Sequence, residues 1–142
     1  MIENIFFSAL HVSQQFIKQV KKGAVKKILN ITSIYGNLNT GNNEFFAYSA
    51  AKAALSSMTV TLAKRDSNIL VNAIAPGYVW TPPWEGISDA EKKLCESRTM
   101  IERFIQPEEI AHMASAIIEN DAITGQVITV DGGLSLQKLE RK

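Results

Sequence analysis

Ser33, Tyr48 and Lys52 fall within one short stretch of this 142-residue chain, and together they could move a proton. Tyr48 and Lys52 are four positions apart, so on a helix they share a face. A tyrosine near its reference pKa of about 10 is a poor acid or base at neutral pH. An ammonium one turn away favours the phenolate and makes the phenol a usable proton donor or acceptor. A serine hydroxyl beside it can hydrogen-bond a substrate oxygen while the proton moves. Tyr-x-x-x-Lys also arises as an amphipathic pair on a solvated helix, so the pair alone does not define a site.

The elements that must position these groups are readable from pattern. Ile28, Leu29, Ile31 and Thr32 form a short apolar, β-branched run that reads as a buried strand, drawn from the segment Ala24 to Thr32, and Ser33 sits where it stops. Gly36, Asn37, Asn39, Gly41 and Asn42 mark a loop. An alanine-rich helix is predicted from about Phe45 to Lys64 and carries Tyr48 and Lys52. Upstream, Ile5, Ala9, Val12, Phe16 and Val20 recur at three and four, predicting a helix from Met1 to about Val20 that ends near Gly23.

Downstream, Ile69 to Ile74 reads as a second strand, ended by Pro76 and Gly77. Residues 80–99 are polar and mixed. Pro82 and Pro83 are expected to keep this segment irregular and flexible, with Trp80 and Trp84 as its large apolar groups, able to pack onto the core. With Tyr35 and Phe46, these tryptophans would give an apolar or ring-accepting pocket, or simply fill the core. Pro107, Glu108 and Glu109 open a further helix with Ile110, Met113, Ala114 and Ile117 on its apolar face. Gln126 to Val130 is the third strand, Asp131-Gly132-Gly133 turns the chain, and the tail from Gln137 is expected to fray. Alternating helix and strand predicts an α/β parallel sheet with helices on both faces.

Composition narrows the function classes. A hydrophobic content of 46% suits one domain with a core, and a formal net charge of +1 gives no electrostatic case for nucleic acid or an anionic membrane. No apolar run approaches the roughly 20 residues of a membrane span, and the N-terminus lacks a basic region followed by an apolar core, so a cytoplasmic protein is expected. The single cysteine, Cys95, excludes an intramolecular disulfide framework. With His11 and His112 far apart, no metal site is expected.

In order, the strand, Ser33, the loop, Tyr48-Ser-Ala-Ala-Lys52 and the alanine-rich helix resemble the short-chain dehydrogenase/reductase family. The resemblance continues in Val71 to Thr81, with Pro76-Gly77-x-Val79-x-Thr81, in RFIQPEEIA from Arg103 to Ala111, and in TGQVITVDGG from Thr124 to Gly133. It implies a Rossmann-like doubly wound parallel sheet of which three strands are present. It also implies reversible hydride transfer between a nicotinamide, NAD or NADP, and a small carbonyl or alcohol substrate. Under it, Ser33, Tyr48 and Lys52 are catalytic, and the segment between Trp80 and Thr99 covers the substrate as a lid. Tyr48, Lys52, Pro76, Gly77, Val79 and Thr81 border the cofactor. Asn4 is the one candidate for the family's catalytic asparagine near the start of the first helix, although that run aligns best with Ile5 at the position.

A doubly wound sheet holds the pyrophosphate on a glycine-rich turn after its first strand. Neither Gly-x-x-x-Gly-x-Gly nor Gly-x-Gly-x-x-Gly occurs in these 142 residues. The expectation is therefore a single partial domain over 1–142 that corresponds to the family's C-terminal half and binds the cofactor weakly by itself. An apolar parallel edge would be left to be covered by another copy or by an N-terminal half. The alternative is a catalytically inactive fragment acting as a binding or scaffold protein.

Overall fold

The computed structural model describes residues 1–19, 25–37, 40, 45–65 and 67–136. The expected helix end near Gly23, the loop positions Asn39, Gly41 and Asn42, and the tail from Gln137 lie outside them. Strands β1 (Lys26–Ile31), β2 (Ile69–Pro76) and β3 (Val127–Val130) pair in parallel in the order β1-β2-β3. The register aligns Ile28 with Val71 and Ile74 with Ile128. Val71, Ala73, Ile74 and Ala75 are all 0% exposed, so both faces of the central strand are covered. Burying each of the larger two contributes about 1.5–3 kcal/mol.

The covering helices lie on opposite faces. Asn30 Nδ2 of β1 donates to Thr59 Oγ1 of helix α2 (Phe46–Leu62) at 2.9 Å. Three residues away, on the other face of the strand, Lys27 Nζ donates to the Ile118 carbonyl at the end of helix α4 (Pro107–Glu119) and pairs with Asp121 at 2.6 Å. A cation at a helix C-terminus also complements its dipole. Buried Asn72 ties the third strand in, its Nδ2 donating to the Ile123 carbonyl at 2.7 Å and its Oδ1 accepting from Gln126 N–H at 3.0 Å.

The chain opens with a π-helical turn, Glu3–Phe7, that runs directly into helix α1 (Ser8–Gln19). The segment expected to be irregular between Trp80 and Thr99 is instead ordered: a 3-10 turn at Pro82–Trp84 leads to helix α3 (Asp89–Arg98). Proline suits the first positions of a short helix, where its missing N–H has no partner to lose. Ser88 caps α3 by accepting from Glu91 N–H at 3.3 Å, while the Glu91 carboxylate accepts from Ser88 N–H at 2.9 Å. Among the described residues no helix is long and apolar enough to cross a membrane, and no cluster of three or more His, Cys, Asp or Glu side chains could hold a metal.

Candidate active site

The site lies at the carboxyl ends of β1 and β2, where open α/β sheets form their crevices. Thr32 extends β1 by donating both its N–H (2.7 Å) and its hydroxyl (2.9 Å) to the Ile74 carbonyl, and Ser33 follows in extended conformation with φ −165° and ψ 154°. Ser33 caps a 3-10 turn, Ile34–Gly36: its Oγ accepts from Tyr35 N–H at 3.2 Å. That bond uses an acceptor position and leaves the buried hydroxyl's hydrogen to be donated elsewhere.

The turn packs directly on α2. A Cβ at Gly36 would come within 2.7 Å of the Lys52 carbonyl carbon and 2.9 Å of Ala53 N, so only glycine admits this approach. Lys52 reaches back across it, its Nζ donating to the Ile31 carbonyl at 2.7 Å and standing 5.6 Å from the centroid of the Tyr48 ring. Burial lowers the Lys52 pKa from its ordinary value of 10.5.

The opposite wall comes from the segment after β2. Gly77 N–H donates to the Val130 carbonyl at 3.0 Å, and a Cβ on Gly77 would sit 2.8 Å from the Asp131 Cα. Val79 forms a parallel bridge with Ile105, flanked by Ile105 N–H to the Tyr78 carbonyl (2.9 Å) and Trp80 N–H to the Ile105 carbonyl (2.8 Å). Phe104 is the hub of an aromatic cluster, with ring centroids 5.0 Å from Trp80, 5.1 Å from Trp84 and 6.0 Å from Tyr78. Lys92 of α3 lies 4.7 Å over the Trp80 ring, which fastens that helix to the segment.

These walls enclose a cavity of about 670 Å³. Ser33, Tyr48, Lys52, Pro76, Gly77, Val79 and Thr81 all line it. Asn4 does not: it lies exposed on the π-helical turn, with its backbone carbonyl accepting from Ser8 Oγ at 2.7 Å. Of the four aromatic residues expected at a pocket, Tyr35 and Trp84 line it. Trp80 packs on Phe104 instead, and Phe46 is 76% exposed.

Tyr78, Cys95 and Arg98 line the cavity too, and no motif in the sequence pointed to them. Cys95 and Arg98 belong to α3, whose Ser88-x-x-Glu91 capping box is the one signal that could have placed them on a helix. Burial pushes the Cys95 thiol up, away from the reactive thiolate. The lining is largely apolar, and it offers the Lys52 ammonium with the Ser33 hydroxyl at a strand end and the Tyr48 hydroxyl on a helix. That set fits the nicotinamide end of a dinucleotide.

Comparison with known proteins agrees with this architecture. A family model described as Enoyl-(Acyl carrier protein) reductase matches residues 1–135. A 3-oxoacyl-[acyl-carrier-protein] reductase of Thermotoga maritima is 35% identical over 137 residues, covering 94% of this chain and 53% of the relative. A short-chain dehydrogenase/reductase homolog of Bacillus subtilis is 32% identical over 136 residues, covering 95% of this chain and 100% of the relative. The chain thus spans about half the length of the Thermotoga reductase and all of the Bacillus homolog. Among solved structures, an actinorhodin polyketide ketoreductase with NADPH superposes with a TM-score of 0.82 at 29% identity, over 93% of this chain and 56% of that one. A small-chain dehydrogenase in complex with NADPH also gives 0.82, at 27% identity, over 94% and 61%.

Proposed function

The chain belongs to the short-chain dehydrogenase/reductase family, and on that footing we propose that its cavity supports oxidoreduction of a small carbonyl or alcohol with NAD or NADP. The observation that carries this reading is the convergence of Ser33, Tyr48 and Lys52 on one cavity from a strand end and a helix face. A bound reduced nicotinamide would supply a hydride, one proton with two electrons, to the carbonyl carbon. Tyr48 gives its hydroxyl proton to the carbonyl oxygen, so the carbonyl becomes an alcohol and the charge balances; the reverse direction returns the proton to Tyr48.

Ser33 donates its hydroxyl hydrogen to the same substrate oxygen and so fixes the reacting carbon. Its free hydrogen supports that role, because Oγ is already an acceptor for Tyr35 N–H. Lys52, anchored to the Ile31 carbonyl, holds positive charge beside Tyr48 and is the residue to contact the nicotinamide ribose. Pro76, Gly77, Val79 and Thr81 border the ring. Asn4, which lies outside the cavity lining, has no part in this reading.

The sequence contains no glycine-rich pyrophosphate turn, which favours a second reading, a binding or scaffold protein without catalysis. Replacing Tyr48 with Phe separates the two. In the assembled enzyme, with a segment that supplies the pyrophosphate turn, the change should cut turnover by roughly 100-fold or more, the usual scale of acid–base catalysis.

A further inference from the structure

We propose that Arg98 selects substrates that carry an anionic group, a carboxylate or a phosphate ester, and holds that group while the reacting oxygen lies at Ser33 and Tyr48. The inference rests on the reading of the cavity given above and adds its substrate class. Arg98 is the last residue of α3 and lines the cavity, as do Tyr78, Trp84 and Cys95. The neighbouring Tyr78 hydroxyl raises the pKa of its guanidinium above the ordinary 12.5. The Tyr78 hydroxyl in turn lies 3.1 Å from that of Tyr35.

Among the described residues no carboxylate pairs with Arg98: the ion pairs there are Lys27 with Asp121 and Arg103 with Glu109. Glu91, about two turns upstream, is committed to the Ser88 cap. Arg98 is exposed, lines the cavity and carries five donors. The planar fork suits bidentate capture of a carboxylate or phosphate. Lys52, the other cation lining the cavity, is committed to the Ile31 carbonyl. A keto or hydroxy acid therefore satisfies the cavity's charge at Arg98 and its hydrogen-bond donors at Ser33 and Tyr48 together.

The test is binding, which does not depend on turnover. The full chain is titrated with 3-oxobutanoate and with methyl 3-oxobutanoate, following the indole N–H of Trp84 by NMR. The acid should bind roughly 5- to 10-fold tighter than the ester, as expected for a charge-assisted pair at a partly exposed site, and added salt should shrink the difference. Arg98→Gln should erase the preference with the melting temperature unchanged, while Tyr48→Phe should leave it in place. Competition by inorganic phosphate would extend the site to phosphate esters, and its absence would restrict it to carboxylates. Equal binding of acid and ester, no measurable binding of either, or a preference that survives Arg98→Gln would overturn the inference. A retained acid preference in an enzyme whose turnover is indifferent to Tyr48→Phe would instead overturn the catalytic reading and leave Arg98 standing.

Discussion

Gly36 has no reactive group, yet it decides whether the reactive groups meet. Its hydrogen sits where a methyl would strike the backbone of Lys52 and Ala53, so the Ser33 cap and the Tyr48–Lys52 helix approach as closely as backbones can. Gly36→Ala must push the 3-10 turn off α2 by enough to relieve a 2.7 Å contact. Overpacking of this kind typically costs about 1–3 kcal/mol, and a displacement near 1 Å at the serine can cost on the order of 100-fold in rate. The expected outcome is a lowered melting temperature together with a turnover loss larger than the stability change explains. A variant that melts lower but keeps wild-type turnover would show that the Ser33–Tyr48 spacing is not critical.

At the scale of elements, the ion pair that opens α4 gives a pH signature. Glu109 accepts from both Arg103 guanidinium nitrogens at 2.8 Å and from Gln106 N–H at 2.8 Å, and these bonds hold its pKa down to about 2. Because the folded value lies below the ordinary one of 4.5, its contribution is fully present above about pH 4.5 and lost as pH falls towards 2. Glu109→Gln should therefore melt below wild type at pH 7, and the difference should close between about pH 4.5 and 2. A gap of constant size across that range would mean that the carboxylate's charge plays no part.

The same helix shows what pattern can reveal. Pro107-Glu108-Glu109 and the apolar face marked α4 in the sequence, and the three strands fell where β-branched runs met proline and glycine. The helix α3 escaped because its ten residues are polar on nearly every face, so no 3.6-residue stripe advertised it. Its capping box was legible, but the two prolines before it drew the segment towards irregular structure. The Ser33, Tyr48 and Lys52 constellation was legible because local elements place all three. The inward turn of Tyr78, Cys95 and Arg98 depends on how α3 docks on Trp80 and Phe104, and spacing along the chain does not encode that docking.

At the scale of the whole molecule, the sheet ends at β1, whose outer edge pairs with no described strand, and Val25 and Ile31 at its ends are 52% and 46% exposed. Phe7 and Val12 of the first helical segment and Phe46 of α2 are exposed too, Val12 at 69%. Unpaired strand edges and contiguous apolar surface drive association. The 142-residue chain is expected to assemble, with another copy or with a chain that supplies neighbouring strands, and its melting temperature should rise with protein concentration. A monodisperse monomer with a cooperative, concentration-independent melt at micromolar concentration would contradict this.

The central claim is that Tyr48 moves the proton with Lys52 tuning it and Ser33 orienting the substrate, and the pH dependence of turnover tests all three roles at once. The measurement compares wild type, Tyr48→Phe, Lys52→Ala and Ser33→Ala in the assembled enzyme, with the segment that completes the pyrophosphate site. Tyr48→Phe should lose roughly 100-fold or more across the range. Lys52→Ala should move the activity-controlling limb to higher pH and weaken cofactor binding, because the phenol loses its neighbouring cation. Ser33→Ala should lower turnover with that limb unmoved. Near-wild-type turnover in Tyr48→Phe would contradict the account, and an unshifted profile in Lys52→Ala would reduce the helical pair to solvated neighbours.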